Sequence, residues 1–508
     1  MRTRFDNAVA NLATGIISEI ALVVASLIAR KVLVATMGSE YLGISSLFSS
    51  ILSMLSLAEL GIGTSIVYHM YKPVAEKDHE RTLEFFYFFK NVYYFIGIII
   101  AIIGIVILPL LKYIVTDLPG NLNVSLLFIV YLLQTLSTYF FMGYRRSLIQ
   151  VNQKQYIINN TSFIITMLTL TGQIAVLLIF RNIYLYIIVR AFTTIFENIM
   201  IGVWCQKLFP YSNRKPAKPL DRESKRGILK DCIALLIYRI NGVVLYSTDN
   251  LIVTHYLGLA VMGVYSNFTW ISTIIKKVTS MLFNSVADGV GNLHASAESV
   301  NQELYVFSKL NLITAVINAI AMTGLINVSD LFIRTVFGEN MTISFVAIIL
   351  LAIDVYLAGI VKLINTYRNS YGLFQQAKYR PIFSTLLNAI ISILLVKTLG
   401  LVGILLGTVV SVLLTTYIYD SYIVFRYGFG SNVISFHLKN GLYFLLASIS
   451  CGMTYFVSHY VVPPLYPWVA IILNTFFSII ITLMLFYCIL GRTEDFQSII
   501  KYVFAILC

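Results

Sequence analysis

Read along its length, the chain is a succession of long apolar runs separated by short polar gaps. Most runs reach about 20 residues, enough for a helix to cross a hydrocarbon core of about 30 Å. The pattern predicts about fourteen spans, at roughly 8–36, 43–70, 84–113, 123–148, 156–180, 183–208, 228–257, 260–288, 303–326, 342–368, 379–398, 401–425, 440–462 and 466–490. An even number places both termini on one side. Alternating segments of about ten residues, the mark of a transmembrane barrel, do not dominate. Met1-Arg2-Thr3-Arg4 and the apolar run after it have the outline of a leader. That run carries Glu19 and outlasts a signal core, so it reads as the first span.

Within this pattern lies a repeat. Met37-Gly38, Gly43-Ile44 and Ser46 return as Leu257-Gly258, Gly263-Val264 and Ser266, each about 220 residues later. Two similar halves in tandem are expected, with a substrate site where they meet. The basic, proline-rich stretch at 209–226 falls between them. The expected organisation is an N-terminal six-helix lobe at 1–208, the linker at 209–226, a C-terminal six-helix lobe at 227–426, and two additional spans within 427–508.

Composition sharpens the class. Of 508 residues, 58% are hydrophobic and 12% charged, with a mean hydropathy of +0.84. Soluble domains carry about twice that charge fraction. The fold class expected is an all-α polytopic membrane protein with two pseudo-symmetric lobes around a central cavity. The net charge of +13 follows from topology. Arg2, Arg4, Lys72, Lys77, Arg81, Lys90, Arg145, Arg146, Lys154 and the run from Lys207 to Lys230 fall in one set of loops. So do Lys309, Arg368, Lys378, Arg380, Arg426, Lys439, Arg492 and Lys501, whereas Lys112, Arg181, Arg334 and Lys397 fall in the other. The first set, with both termini, is expected in the cytoplasm. Nucleic acid is not needed to explain the basic charge.

Other ionisable residues sit inside the spans, where each costs roughly 2.5–3.5 kcal/mol at the bilayer centre. They are Glu19, Arg30, Lys31, Glu59, Arg190, Glu197, Arg239, Asp249, Lys276, Lys277, Asp354 and Lys362. Glu19, Ser26 and Arg30 share one helical face, and Arg239, Tyr246 and Asn250 repeat that spacing. A second polar stripe runs through Ser266, Trp270, Thr273, Lys277, Ser280 and Asn284, opposite a serine ladder at Ser46, Ser50 and Ser53. Together they outline a hydrated cavity. Plainer readings stand beside this one. Arg30 and Lys31 near a helix end can snorkel to the interface, and a serine ladder also serves close helix packing. Of Lys276 and Lys277, adjacent and about 100° apart, the stripe favours Lys277 for the cavity.

No Walker A sequence, HExxH, GxSxG or Asp-rich metal site is present, so neither ATP use nor an enzymatic activity is expected. The outer loops are short for a membrane transferase or polymerase. Cys205, Cys232, Cys451, Cys488 and Cys508 show no ligand spacing and read as apolar fillers.

Several stretches carry a family resemblance. They are Tyr71-Lys72-Pro73, Tyr144-Arg145-Arg146-Ser147-Leu148 with Asn152-Gln153-Lys154-Gln155-Tyr156, and Asp249-Asn250-Leu251-Ile252. Gly263-Val264-Tyr265-Ser266-Asn267, Gly291-Asn292-Leu293 and Gly403-Ile404-Leu405-Leu406-Gly407-Thr408 complete the set. In this order they resemble the polysaccharide repeat-unit flippases of the multidrug/oligosaccharidyl-lipid/polysaccharide exporter superfamily, which serve bacterial capsule, exopolysaccharide and O-antigen pathways. The resemblance implies a V-shaped cavity and alternating access in the cytoplasmic membrane. It implies an undecaprenyl-pyrophosphate-linked oligosaccharide as passenger, with membrane lipids and pathway polymerases and glycosyltransferases as partners and no cofactor. Arg30, Lys31, Arg239 and Lys277 are then the candidates for holding phosphate, with Arg190 and Lys362 behind them. Glu19, Glu59, Asp249 and Asp354 are candidates for ion coupling or salt-bridge switching, and Ser46, Ser50, Ser53, Asn250 and Trp270 for the polar lining. An ion-coupled multidrug exporter of the same superfamily, and a flippase for teichoic-acid or peptidoglycan precursors, remain open alternatives.

Overall fold

A backbone in hydrocarbon must satisfy its amides within its own segment, and a helix does so. A computed structural model describes residues 4–115, 122–296, 300–373, 375–460 and 466–507. Among these residues regular structure is helical throughout. Eleven of the described helices are long and apolar enough to span a membrane, or twelve if the bent pair Val124–Phe140 and Gly143–Val151 forms one span. Two places separate this count from the expected fourteen. The predicted second span is divided at Ser56 into Ser39–Leu55 and Leu57–Ala75. The predicted seventh and eighth run on as Arg222–Ser296, whose backbone leaves helical angles at Gly258.

Short polar side chains punctuate the runs. Asn123 accepts from the Leu126 amide, Asn182 from those of Tyr184 and Leu185, and Ser344 from that of Ala347. Each satisfies a donor that the first turn leaves open.

The chain forms two compact units, Met1–Gly263 and Val264–Cys508, so the division by contact falls after Gly263 and not in the linker. In the first unit, Arg4–Met37 packs on Gln155–Phe180, and Ile183–Leu208 packs on both Gln155–Phe180 and Val124–Phe140. In the second, Val300–Phe337 is the hub, packing against Phe345–Ser370, Ile434–Tyr460 and Pro467–Leu490. The two additional spans of the sequence reading are thus seated on this hub. Phe345–Ser370 is 72% buried against 22% for Arg380–Leu399, which marks the first as central and the second as peripheral.

One close backbone approach in the first unit is reciprocal. A Cβ on Gly43 would strike the carbonyl oxygen of Leu259, and one on Gly263 would strike that of Ser39. Gly43 corresponds to Gly263 in the repeat, and Ser39 to Leu259. Each crossing helix starts after a glycine of positive φ, Gly38 at 103° and Gly258 at 86°, a region that residues with a Cβ avoid. Gly43→Val and Gly263→Val are each expected to lower stability by about 1–3 kcal/mol or more, since backbone and not a flexible side chain must move. Thermal unfolding in detergent measures this. Gly242→Ala, where a Cβ meets nothing within 4 Å, is the control and should leave the midpoint in place.

Candidate functional site

Three helices of the first unit bring a cationic group together. Arg30 projects from Arg4–Met37, Tyr131 from Val124–Phe140, and Tyr186 and Arg190 from Ile183–Leu208. Tyr186 lies within electrostatic reach of both guanidiniums and of Tyr131, and Tyr131 within that of Arg190. Tyr131 donates to Ser45 Oγ at 2.8 Å, and Gln134 Nε2 donates to Thr194 Oγ1 at 3.4 Å. Arg30 and Arg190 are both partly buried. The phenols of Tyr131 and Tyr186 both lie within electrostatic reach of Arg190.

The polar lining expected from sequence is brought together in part. Asn250 Nδ2 donates to Ser50 Oγ at 2.7 Å, and Ser50 in turn donates to the Ser46 carbonyl at 2.9 Å. Ser50 is 8% exposed, whereas Ser53 lies exposed one turn on. Asp249 is 1% exposed, Glu19 partly buried, and Lys31 exposed. The side chains of Glu59 and Arg239 lie outside the described residues.

In the second unit Lys276 Nζ donates to Asp354 Oδ2 at 2.5 Å. Asp354 is 4% exposed, so the pair sits in the helical interior. Lys277 is exposed, while Lys362 and Trp270 are partly buried. Lys276, which the stripe argument set aside, thus has Asp354 as a partner.

The sequence reading missed two further ion pairs, and this corrects its account of several loop charges. Arg145, Arg368 and Arg380 entered the topology count as inner-loop residues, yet they are 7%, 2% and 5% exposed. Arg146 Nη2 bonds Glu197 Oε1 at 2.8 Å, and Ser162 donates to the same oxygen at 2.6 Å. Arg368 Nη1 bonds Asp420 Oδ2 at 2.5 Å, with Arg380 Nε 3.3 Å from Oδ1. A signal for this was present. Tyr144-Arg145-Arg146-Ser147 recurs as Tyr367-Arg368-Asn369-Ser370, at the same interval that separates Glu197 from Asp420.

The linker is fixed by polar contacts. Arg81 Nη2 bonds Asp221 Oδ1 at 2.5 Å and Ser224 Oγ at 2.9 Å, and His69 Nε2 lies 3.0 Å from Asp231 Oδ2. The Ser224 amide, followed by the Arg81 guanidinium, holds the Asp221 carboxyl well below the usual carboxylate range.

No protein-family model matches this sequence, and no curated protein matches it by sequence. Solved structures share its fold. Lipid II flippase MurJ in an inward closed conformation aligns with a TM-score of 0.64 at 16% identity, over 94% of this chain and 99% of its own. The inward-facing conformation of a multidrug resistance MATE family transporter of the MOP superfamily also gives 0.64, at 14% identity over 80% of this chain and 94% of its own. An outward-facing MATE conformation gives 0.54 at 15% identity, over 81% and 92%. At these identities the likeness shows the fold alone, a multi-helix architecture in keeping with the eleven or twelve candidate membrane spans among the described residues.

Asp420→Asn leaves Arg368 and Arg380 facing a neutral amide, and is expected to cost about 3–5 kcal/mol. Asp330→Asn, at a pair whose side chains are 30% and 41% exposed, should cost less than about 1 kcal/mol. Thermal midpoints in detergent distinguish the two. A depressed carboxyl contributes stability at and above the usual carboxylate range and loses it only as pH falls through its folded value. Protection factors for hydrogen exchange at 217–228 should therefore hold steady from about pH 8 to about pH 5.

Proposed function

We propose that the chain is a flippase that carries an undecaprenyl-pyrophosphate-linked oligosaccharide repeat unit from the inner to the outer leaflet of the cytoplasmic membrane by alternating access, for cell-surface polysaccharide synthesis. The observation behind this reading is the convergence of Arg30 and Arg190 on Tyr186 inside the apolar body of the first unit. Two like charges brought to one phenol in a membrane-spanning bundle repel, and each carries a desolvation cost. A diphosphate entering between them offsets both terms, and a guanidinium offers it forked hydrogen bonds. Tyrosine faces beside the cations suit sugar rings. The fold shared with a lipid II flippase supports a lipid-linked passenger.

In this reading Lys31, Arg239, Lys277 and Lys362 extend the cationic path, and Glu19, Glu59, Asp249 and Asp354 serve coupling or switching. Ser46, Ser50, Ser53, Asn250 and Trp270 line the route. The lobes are 1–208 and 227–426, both termini are cytoplasmic, and the polymerase and glycosyltransferases of the pathway are partners.

A second reading, an ion-coupled multidrug exporter, draws on buried Asp249, on the Lys276–Asp354 pair and on the fold shared with MATE transporters. A flippase for a peptidoglycan or teichoic-acid precursor is a change of cargo within the first reading. Arg30→Ala and Arg190→Ala are expected to leave membrane insertion unchanged and to cut surface polysaccharide at least about tenfold, a loss of about 1.4 kcal/mol in binding. Immunoblots of membranes and of surface polysaccharide measure both. Wild-type export by both variants would remove the flippase reading. Drug accumulation in efflux-deficient cells tests the second: accumulation that falls with the wild type and is restored by Asp249→Asn would favour it.

A further inference from the structure

A cavity of about 570 Å³ lies in the first unit at the end of Leu57–Ala75, outside the arginine group described above. It is lined by Tyr68, His69, Tyr71, Lys72, Glu76 and Arg81, with Pro73 and Phe85 completing the wall. Tyr68 and Tyr71 are 70% and 47% exposed, one helical turn apart, where the apolar run gives way to Lys72, Glu76, Lys77 and Asp78. Amphipathic rings at such a junction sit at headgroup depth in a bilayer.

The lining charges divide by mobility. Arg81 is held in place, its guanidinium 5.2 Å over the Phe85 ring and bonded to Glu84 and Asp221. Lys72 is not: its side chain is 83% exposed, and Glu76 lies 3.9 Å away. The linker beside the cavity holds eight Lys and Arg against two acids over 207–230, so the surrounding field attracts anions.

We propose that this cavity binds the phosphate headgroup of an anionic phospholipid, with Lys72 on the phosphate and Tyr68 and Tyr71 against the glycerol region. A zwitterionic lipid gains less there, because its own cation meets Lys72. The site stands apart from the transported cargo and does not depend on what that cargo is.

Native mass spectrometry of the full chain in detergent, titrated with phosphatidylglycerol or phosphatidylcholine, tests this. The wild type should retain phosphatidylglycerol in preference to phosphatidylcholine. Lys72→Gln should weaken that binding roughly fivefold, the effect of one cation near an anionic headgroup. Lys72→Arg should keep it, and the triple variant Tyr68→Ala/Tyr71→Ala/Lys72→Gln should lose it. Lys72 is exposed, so the thermal midpoint of Lys72→Gln should match the wild type and exclude misfolding as the cause. Equal phosphatidylglycerol binding by wild type and triple variant would overturn the proposal, as would equal retention of the two lipids. Displacement of the lipid by inorganic phosphate at millimolar level would assign the site to a free anion, and would overturn the lipid assignment.

Discussion

Where one helix begins at Ser39 and another just past Gly258, two backbones touch with no side chain between them. Lipid gives apolar helices no hydrophobic reason to associate, so dispersion and close backbone contact must supply it. Gly43 and Gly263 make that contact possible because neither carries a Cβ. The positive φ of Gly38 and Gly258 aims the two helices into the crossing. Because the contact is reciprocal, it is specified twice by the same short sequence, and a slip of register on either helix would bring a side chain into backbone. Other placements in the first unit follow from it. Two turns along from Gly43, Ser50 meets Asn250, so a polar bond is set where apolar side chains would otherwise interdigitate.

Buried charge is resolved in three ways in this protein. At Arg368, Arg380 and Asp420 one carboxylate answers two guanidiniums with nearly no water present, which fixes the geometry of a helix end. At Lys276 and Asp354 a single pair is neutral as a whole but lies on elements far apart in sequence, and either member leaves a strong charge behind if parted. Around Arg190 the polar groups are phenols and hydroxyls. These stabilise a cation through their dipoles without cancelling it.

Much of the architecture was legible in the sequence because a membrane enforces a simple rule: long apolar runs become helices. The repeat was legible for a similar reason, since only glycine answers the demands at residues 38, 43, 258 and 263. Span counting was less secure. Ser56 and Gly258 sit inside or beside apolar runs, and hydropathy does not register a change of backbone direction. Around the candidate site, helical spacing singled out Arg30 and charge inside a span singled out Arg190, but Tyr131 and Tyr186 read as ordinary aromatic packing until three helices converge. Arg145, Arg368 and Arg380 fall in the polar gaps between apolar runs, yet they fold inward. Nothing local in a sequence distinguishes a charge in water from one folded back against a distant carboxylate, as at Arg368, or an amide oxygen, as at Arg145.

The repeat also shows how similar halves come to differ. Both keep an arginine–carboxylate clamp at the Tyr-Arg motif, made by Arg146 with Glu197 in the first half and, one position earlier in the motif, by Arg368 with Asp420 in the second. What is not shared is the charge further inside. The first unit gathers two arginines about a tyrosine, whereas the second couples its interior lysine to an aspartate. A scaffold needs rigid joints in both halves, and a buried pair of opposite charges with its hydrogen bonds made supplies one. The interior charges are held to no such requirement, so a shared clamp beside a divergent interior is what one scaffold adapted separately in each half shows.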